Sequence, residues 1–426
     1  VSVTTDSIDA LTMTAAVTSD FALTLTQRDI YFDQICHPGA PIYNIGGYVK
    51  LAAVDLVRLQ RAHAMLIRAH DAFGIRVFSS HSGTRQRIVG EDQRTVALPI
   101  IDLSKQPVPT ESANEEVTRL FEARMPYEDV ELFKAFLLKL SESEYWYGVI
   151  AHHLMCDGWG FINLAHALAA LYEGPAQDQS VLCWRDIAAS DESYQISERY
   201  ARDRDYWRHE LKSLPERLLS PRTVAGQVVH SSVRHVVTLD TKELSRLQQA
   251  ATDMGVGVPH VLLAALASCM GLGHGQSDLV VGLPVHNRRG DAQKKAISVF
   301  TSVSPMRLSV ASGQRFSEVA RHVADKQKSN FRHQRYPIGD MVRDLGLSGG
   351  HQKIYDIGFS YLNFEDDVEF DGNRSKLVYV SNNHETTPLL VTAWECGGSI
   401  EIKLDCNRSY FDESEAQLLG NRLVQL

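Results

Sequence analysis

The 426-residue chain contains no C-x-x-C pair. Its six cysteines, Cys36, Cys156, Cys183, Cys269, Cys396 and Cys406, are scattered, which signals neither a zinc cage nor a disulfide framework. They read as small reduced core residues. The opening VSVTTDSIDALTMTAAVTSD has neither a basic n-region nor an apolar h-region, so a reducing, cytoplasmic setting is expected. No apolar run reaches the ~18 residues of a membrane span, and no membrane partner is expected. Positive charge is in deficit: 43 Lys plus Arg stand against 52 Asp plus Glu, a net −9. That excludes a general binder of nucleic-acid backbones, while leaving room for a local basic patch that holds a phosphorylated handle. A Gly-x-Ser-x-Gly elbow is missing, which removes the usual hydrolase reading. The glycines of Gly271-Leu272-Gly273-His274-Gly275 follow a helix and precede a strand, the reverse of a dinucleotide fingerprint, and read as a helix-ending loop. The chain starts without Met at Val1 and stops at Leu426 inside an apolar helical pattern, and reads as a piece of something longer.

What is present is the composition of a packed protein, 44% apolar and 22% charged, long enough at ~100–200 residues per domain for two or more lobes. Thr26 to Asp29 reads as a capping box opening a helix through Ile35. A strand is expected over 43–51. Leu56, Leu59, Ala62, Leu66, Ala69 and Phe73 then recur at helical steps. Two apolar runs, 132–140 and 145–153, flank a polar turn and predict a hairpin whose second strand is apolar on both faces and so buried. After Gly158 the period turns helical through Phe161, Leu164, Ala165, Leu168 and Tyr172. A polar, Pro-punctuated stretch over 174–225 separates this set from a second one. There, strands are expected over 233–239, 279–285, 300–308, 354–362, 389–395 and 400–404. Helices capped by Asp240 with Glu243 and by Asp412 with Glu415 accompany them. Helices and strands interleave without regular βαβ spacing, which favours two α/β sandwiches over one doubly wound sheet. The division drawn is an arm over 1–22, a first lobe over 23–180 and a second over 181–426.

The chemistry sits at the end of the buried strand, in His152-His153-Leu154-Met155-Cys156-Asp157-Gly158. This H-H-x-x-x-D-G pattern would arise by chance in a chain of this length roughly three times in a thousand under uniform residue usage. Neighbouring strand residues point to opposite faces, so one histidine can face a cavity while the other packs behind it, and the pair makes a poor metal site. No metal is expected. The helix that follows presents unpaired N–H groups and a partial positive charge, suited to a developing oxyanion, with the Gly158 N–H as a candidate donor. Asp157 has the position of an ordinary N-cap or of a partner for a buried arginine. His63, His166, His260 and His384 read as surface or core residues, and Tyr145, Trp146 and Tyr147 as core aromatics.

The run resembles the core motif of nonribosomal peptide synthetase condensation domains, relatives of chloramphenicol acetyltransferase. The likeness continues along nearly the whole chain. It takes in Leu25-Thr26 with Gln27 and Tyr31, His70-Asp71-Ala72-Phe73 (with Gly74 where an arginine is usual), and Tyr206-Trp207. Further on come Val281-Gly282 with Pro284 and Asn287-Arg288, then Phe300 with Pro305-Met306-Arg307 (Ser302 replacing an Asn), and finally His333-Gln334 with Tyr336-Pro337. The resemblance implies an α/β fold of two acetyltransferase-like sandwich lobes in a V, with an active-site tunnel between them. It also implies no cofactor of the domain's own, with substrates carried on 4'-phosphopantetheine or coenzyme A. A peptidyl carrier protein and an adenylation domain of the same synthetase would be partners, with an acyl-CoA or acyl carrier as donor. His153 would be catalytic and His152 supporting. Asp157 would bind an arginine, with Arg76 and Arg307 as the candidates. Trp159, Ser302 and Ser304 are tunnel candidates. The Pro41–Tyr48 segment and Trp159 resemble starter domains, which N-acylate the first amino acid. An internal elongating domain, a non-catalytic recruiting module and a free-standing CoA-dependent acyltransferase are the alternatives. The V-S-W continuation of epimerisation domains is replaced by Trp159-Gly160-Phe161.

Overall fold

A computed structural model describes residues 20–81, 83–174, 182–222, 229–347, 353–363 and 367–425. In the first part of the chain, strands β1 (Phe21–Ala22), β2 (Asn44–Ala52), β3 (Ile75–Ser80), β4 (Gly83–Ile88), β5 (Ile100–Asp102), β6 (Phe133–Lys139) and β7 (Glu144–His152) alternate with helices α1 (Leu25–Cys36), α2 (Leu56–Ala69), α3 (Pro109–Glu122) and α4 (Gly158–Glu173). Helices α5 (Trp184–Gln195) and α6 (Glu198–Glu210) lead into β8 (Ser232–Leu239), α7 (Thr241–Met254), α8 (Val258–Gly273) and β9 (Asp278–Val285). The short α9 (Gly290–Lys295), β10 (Ser302–Ser309), α10 (Phe316–Phe331) and α11 (Ile338–Asp344) follow. The chain closes with β11 (Ile357–Leu362), β12 (Asp367–Phe370), β13 (Asn373–Tyr379), β14 (Leu389–Cys396), β15 (Ser399–Asn407) and α12 (Glu413–Gln425).

The strands form two six-stranded mixed sheets, ordered β12-β13-β2-β7-β6-β5 and β10-β9-β11-β14-β15-β8, and a small sheet β1-β4-β3. The α/β expectation is met. Side-chain alternation along β7 explains why it is apolar throughout. Tyr145, Tyr147, Val149 and Ala151 enter one core with α2 and α4, whereas Trp146 and Ile150 enter a second with Ala113, Val117 and Phe121 of α3. Gly148 is required between them, because a Cβ there would lie 2.0 Å from the Phe136 ring. The division at residue 180 does not hold for the sheets. Strands β12 and β13, from the far end of the chain, pair onto β2 (Leu377 opposite Val49) and complete the first sheet. Trp184, Ile297 and Phe300 likewise belong to the first core. Among the described residues no single helix is long and apolar enough to cross a membrane.

The first helix begins two residues earlier than the sequence reading placed it. Thr24 is its N-cap, in a reciprocal box with Gln27, because the glutamine carboxamide can return to the cap amide while Asp29 is drawn elsewhere. Asp29 is carried to the start of α11 in the second half. There a Cβ on Gly339 would meet its Oδ1 at 2.4 Å, and neighbouring Arg28 pairs with Asp340 at 2.9 Å. The amides of Gly339 and Ile338 face the Asp29 carboxylate without closing a good hydrogen bond. Burial, the largest influence, pushes this carboxyl from its ordinary 3.8 to about 7 against the pull of Arg28. Between those two values the folded chain holds a proton that the unfolded chain has released. Wild-type stability therefore falls as pH rises through that window and levels off above it. Asp29→Asn removes the titration, so the variant should gain on wild type by up to about 1.4 kcal/mol per pH unit between pH 5 and 7. Urea unfolding at pH 5 and pH 8 measures this, and a gap that does not change with pH would contradict it.

Candidate active site

Strand β7 ends between β2 and β6, with Asn44 opposite His152. The His152 amide donates to the Leu132 carbonyl and the His153 amide to the Tyr43 carbonyl, each at 2.8 Å, so both histidines are fixed by backbone before their side chains are considered. The His152 ring is buried. Its Nδ1 accepts from the Leu154 amide at 3.2 Å, which places the proton on Nε2, 3.3 Å from the Gln34 carboxamide oxygen on α1. Burial pushes its pKa down to about 3, with the neighbouring His153 adding to the shift. His152 is a neutral strut between sheet and helix.

His153 points the other way. It lies deep in the protein yet keeps part of its surface open. Its Nδ1 is withdrawn from solvent and turned to its own backbone carbonyl, whereas Nε2 makes no hydrogen bond among the described residues. Burial lowers its pKa and the Asp157 charge opposes that. The result is a neutral imidazole with one open nitrogen. The Tyr43 ring stands edge-on to it, centroids 6.1 Å apart, and the Tyr43 hydroxyl donates to Asp33 Oδ2 at 2.8 Å.

Asp157 is fully buried at the start of α4. Its Oδ1 accepts from the Gly160 amide at 2.7 Å and from Arg288 Nη2 at 2.6 Å. Its Oδ2 accepts from the amides of Phe300 and Thr301 at 2.8 and 3.0 Å and from the Thr301 hydroxyl at 3.0 Å. Burial alone would raise this carboxyl, but Arg288 and the amides overcome it and hold the group below its ordinary value. The partner is thus neither Arg76 nor Arg307. Arg76 on β3 pairs with Glu131 at 3.2 Å and donates to the Phe73 and Ile75 carbonyls. Arg307, five residues along β10 from Ser302 and so about 17 Å away, is bound to Asp278 at 2.6 Å. Arg288 instead has no exposed side-chain surface and also donates to the carbonyls of Gln293, Ala296 and Ser298. The sequence signal for it was Asn287-Arg288 at the end of β9. At Gly74 the missing arginine leaves space that the Arg94 guanidinium fills, its Nε 2.9 Å from where a Cβ would be.

Gly158 opens α4 with its N–H unbonded among the described residues, as the first turn of a helix leaves it. Gly160, two residues further on, lies against the backbone of Ser298, where a Cβ would meet the carbonyl at 2.7 Å. Trp159 donates from its indole to the Lys294 carbonyl at 2.8 Å and lies beside His286, joining α4 to the loop that carries Arg288. Ser302 and Ser304 share one face of β10, directly after the Thr301 that Asp157 holds. Ser304 is buried, and its hydroxyl has no hydrogen-bond partner among the described residues. Among the described residues no group of three or more His, Cys, Asp or Glu side chains could hold a metal ion. The motif reading did not single out two residues of α1, Gln34, which reaches His152, and Asp33, which holds the Tyr43 hydroxyl.

The family model for the condensation domain matches residues 17–426. The chain is 26% identical over 418 residues to a dimodular nonribosomal peptide synthase of Bacillus subtilis (strain 168), covering 95% of this chain and 17% of that protein. It is also 26% identical over 427 residues to an isonitrile lipopeptide synthase of Streptomyces coeruleorubidus, covering 98% and 29%. It therefore spans less than a third of these relatives. Among solved structures it resembles a mutant starter condensation domain of rhizomide synthetase RzmA in complex with C8-CoA and Leu-SNAC. That match has a TM-score of 0.86 and 23% identity, over 95% of this chain and 93% of that one. The first condensation domain of the calcium-dependent antibiotic synthetase, in complex with substrate analogue 3a, matches with a TM-score of 0.83 and 22% identity, over 96% and 95%.

Proposed function

From the premise that this chain belongs to the condensation-domain family, we propose that it forms an amide by attack of a carrier-tethered amino acid on an acyl thioester, N-acylating the first residue of a peptide. The observation that carries the reading is His153: a neutral imidazole, buried yet open at Nε2, with Nδ1 turned to its own carbonyl. The acceptor ammonium first loses a proton to solvent. Its lone pair then adds to the thioester carbonyl carbon. Nε2 accepts the second amine proton as the tetrahedral adduct forms and returns it to the sulfur as the C–S bond breaks, leaving an amide and a thiol. The Gly158 N–H is suited to the oxyanion. Because the thioester is already activated and an α-amine of pKa ~7.7–8.0 is roughly one-tenth neutral at pH 7, placement of the amine outweighs base strength.

The starter assignment draws on the Pro41–Tyr48 segment and Trp159. It also draws on a relative that is a lipopeptide synthase and on the likeness to a starter domain solved with an acyl-CoA. A peptidyl carrier protein and an adenylation domain are the partners this reading requires, with phosphopantetheine and coenzyme A as handles of the substrates. The test mixes the protein with octanoyl-CoA and an aminoacyl carrier protein and follows the carrier by intact mass. A gain of one acyl group on the amino acid is the expected result. Transfer only from a second aminoacyl carrier would replace the starter reading with elongation, and no transfer from any donor would overturn catalysis.

A further inference from the structure

One aromatic ring beyond His153 the two halves of the protein bring together a set of polar groups that the reaction above does not use. Tyr43 links them to the histidine, its ring edge-on to the imidazole and its hydroxyl on Asp33 of α1. Opposite, from the second half, stand Lys353, Tyr355 and Glu385. Glu385 is fixed by its amide on the His230 carbonyl at 2.7 Å and by the Thr387 amide on its Oε1 at 3.2 Å. Its segment is tied to the catalytic strand pair, since Asn382 donates to the Asn44 carbonyl at 3.1 Å. Burial lowers the Lys353 pKa against the pull of both Asp33 and Glu385, and its side chain makes no ion pair among the described residues. On their other side Lys353 and Tyr355 border a small cleft of ≈ 40 Å³, shared with Arg217 and Asp356.

We propose that Asp33, Tyr43, Lys353 and Glu385 form the subsite that reads the side chain of the acceptor amino acid. The side chain it takes is uncharged and able both to donate and to accept hydrogen bonds, a carboxamide or a hydroxyl. This rests on the condensation reading, which sets the amine at His153 Nε2. With the amine within ~3 Å of that nitrogen and Cα ~1.5 Å further on, a side chain lying along Tyr43 ends beside its hydroxyl and Asp33. The subsite offers acceptors on Asp33 and donors on Lys353. Glu385, pushed up to about 7 by burial, supplies either. A cationic side chain would meet Lys353 and an anionic one Asp33. An aliphatic side chain would strip water from both charges and return no hydrogen bond.

Calorimetry on the whole chain with unreactive pantetheine amides tests this. The glutaminyl and seryl amides should bind at least ~tenfold more tightly than the leucyl, lysyl and aspartyl ones, the scale of a single matched polar contact. Lys353→Met should cut the glutaminyl-to-leucyl ratio at least ~fivefold. Equal binding, leucyl preference or an unchanged ratio in the variant overturns the subsite. Turnover with octanoyl-CoA and the matching aminoacyl thioesters is measured in parallel. Condensation without any side-chain preference in binding sinks the subsite alone. Preference in binding without condensation supports the subsite and sinks the reaction.

Discussion

Asp157→Ala is expected to lower the free energy of unfolding by about 3–5 kcal/mol, because it leaves the Arg288 guanidinium buried without its counter-charge. Both side chains are fully enclosed, so neither water nor rearrangement at a surface relieves the loss. The carboxylate also serves the amides of Gly160, Phe300 and Thr301, and each donor left buried and unpaired adds to the cost. Arg288→Met strips the charge from the other side but leaves the carboxylate its amide donors, so it should cost less than Asp157→Ala. The double variant should cost less than the sum, since the two changes remove one shared interaction. Urea unfolding of the three variants at pH 7 measures this. A loss below about 1 kcal/mol for Asp157→Ala, the scale of one ordinary hydrogen bond, would mean the pair is not a structural anchor.

His153→Ala should leave the fold intact and slow amide formation by ~10²- to 10⁴-fold, the range of a removed acid–base group, with residual turnover from placement of the two substrates. The pH profile separates this histidine from the amine it serves. Burial holds its pKa below the ordinary 6.5, so above that pH the ring is mostly neutral. The wild-type rate should then climb between pH 6.5 and 7.5 chiefly with the acceptor amine, at close to tenfold per unit below its ~7.7–8.0 pKa. An acceptor of lower amine pKa should shift the rise downward by the same amount. Stopped assays with product quantified by mass spectrometry check both points. A variant that keeps a third of wild-type turnover, or a profile that ignores the amine pKa, contradicts the role.

How legible the site was follows from how local its determinants are. A buried strand that ends in two histidines before a capped helix is written in consecutive residues, and β7, α4 and the Asp240–Glu243 box fall within a residue or two of where the sequence puts them. The capping shift from Thr26 to Thr24 is a local rule misapplied, since only the earlier threonine has a glutamine three residues on. The partner of Asp157 could not be chosen from its neighbourhood, because Arg288 lies 131 residues away. Burial and the return of β9 decide that choice, and nothing in the chain near Asp157 does. Helix α3 carries Ala113, Val117 and Phe121 at four-residue steps, a signal that Pro109 and the polar residues between them dilute. Asp33, Lys353 and Glu385 converge only through the meeting of the two halves, and no spacing announces that.

The late arrival of β12 and β13 has a consequence for synthesis on the ribosome. Until residues 367–379 emerge, β2 is the bare edge of the first sheet, a row of unpaired amides and carbonyls open to any strand nearby. At ~5–20 residues per second, some 320 residues of further translation hold that edge open for on the order of 15–60 s. For the same reason an exchange of front halves between relatives must carry this distant pair of strands with it, or the transplanted sheet is left two strands short.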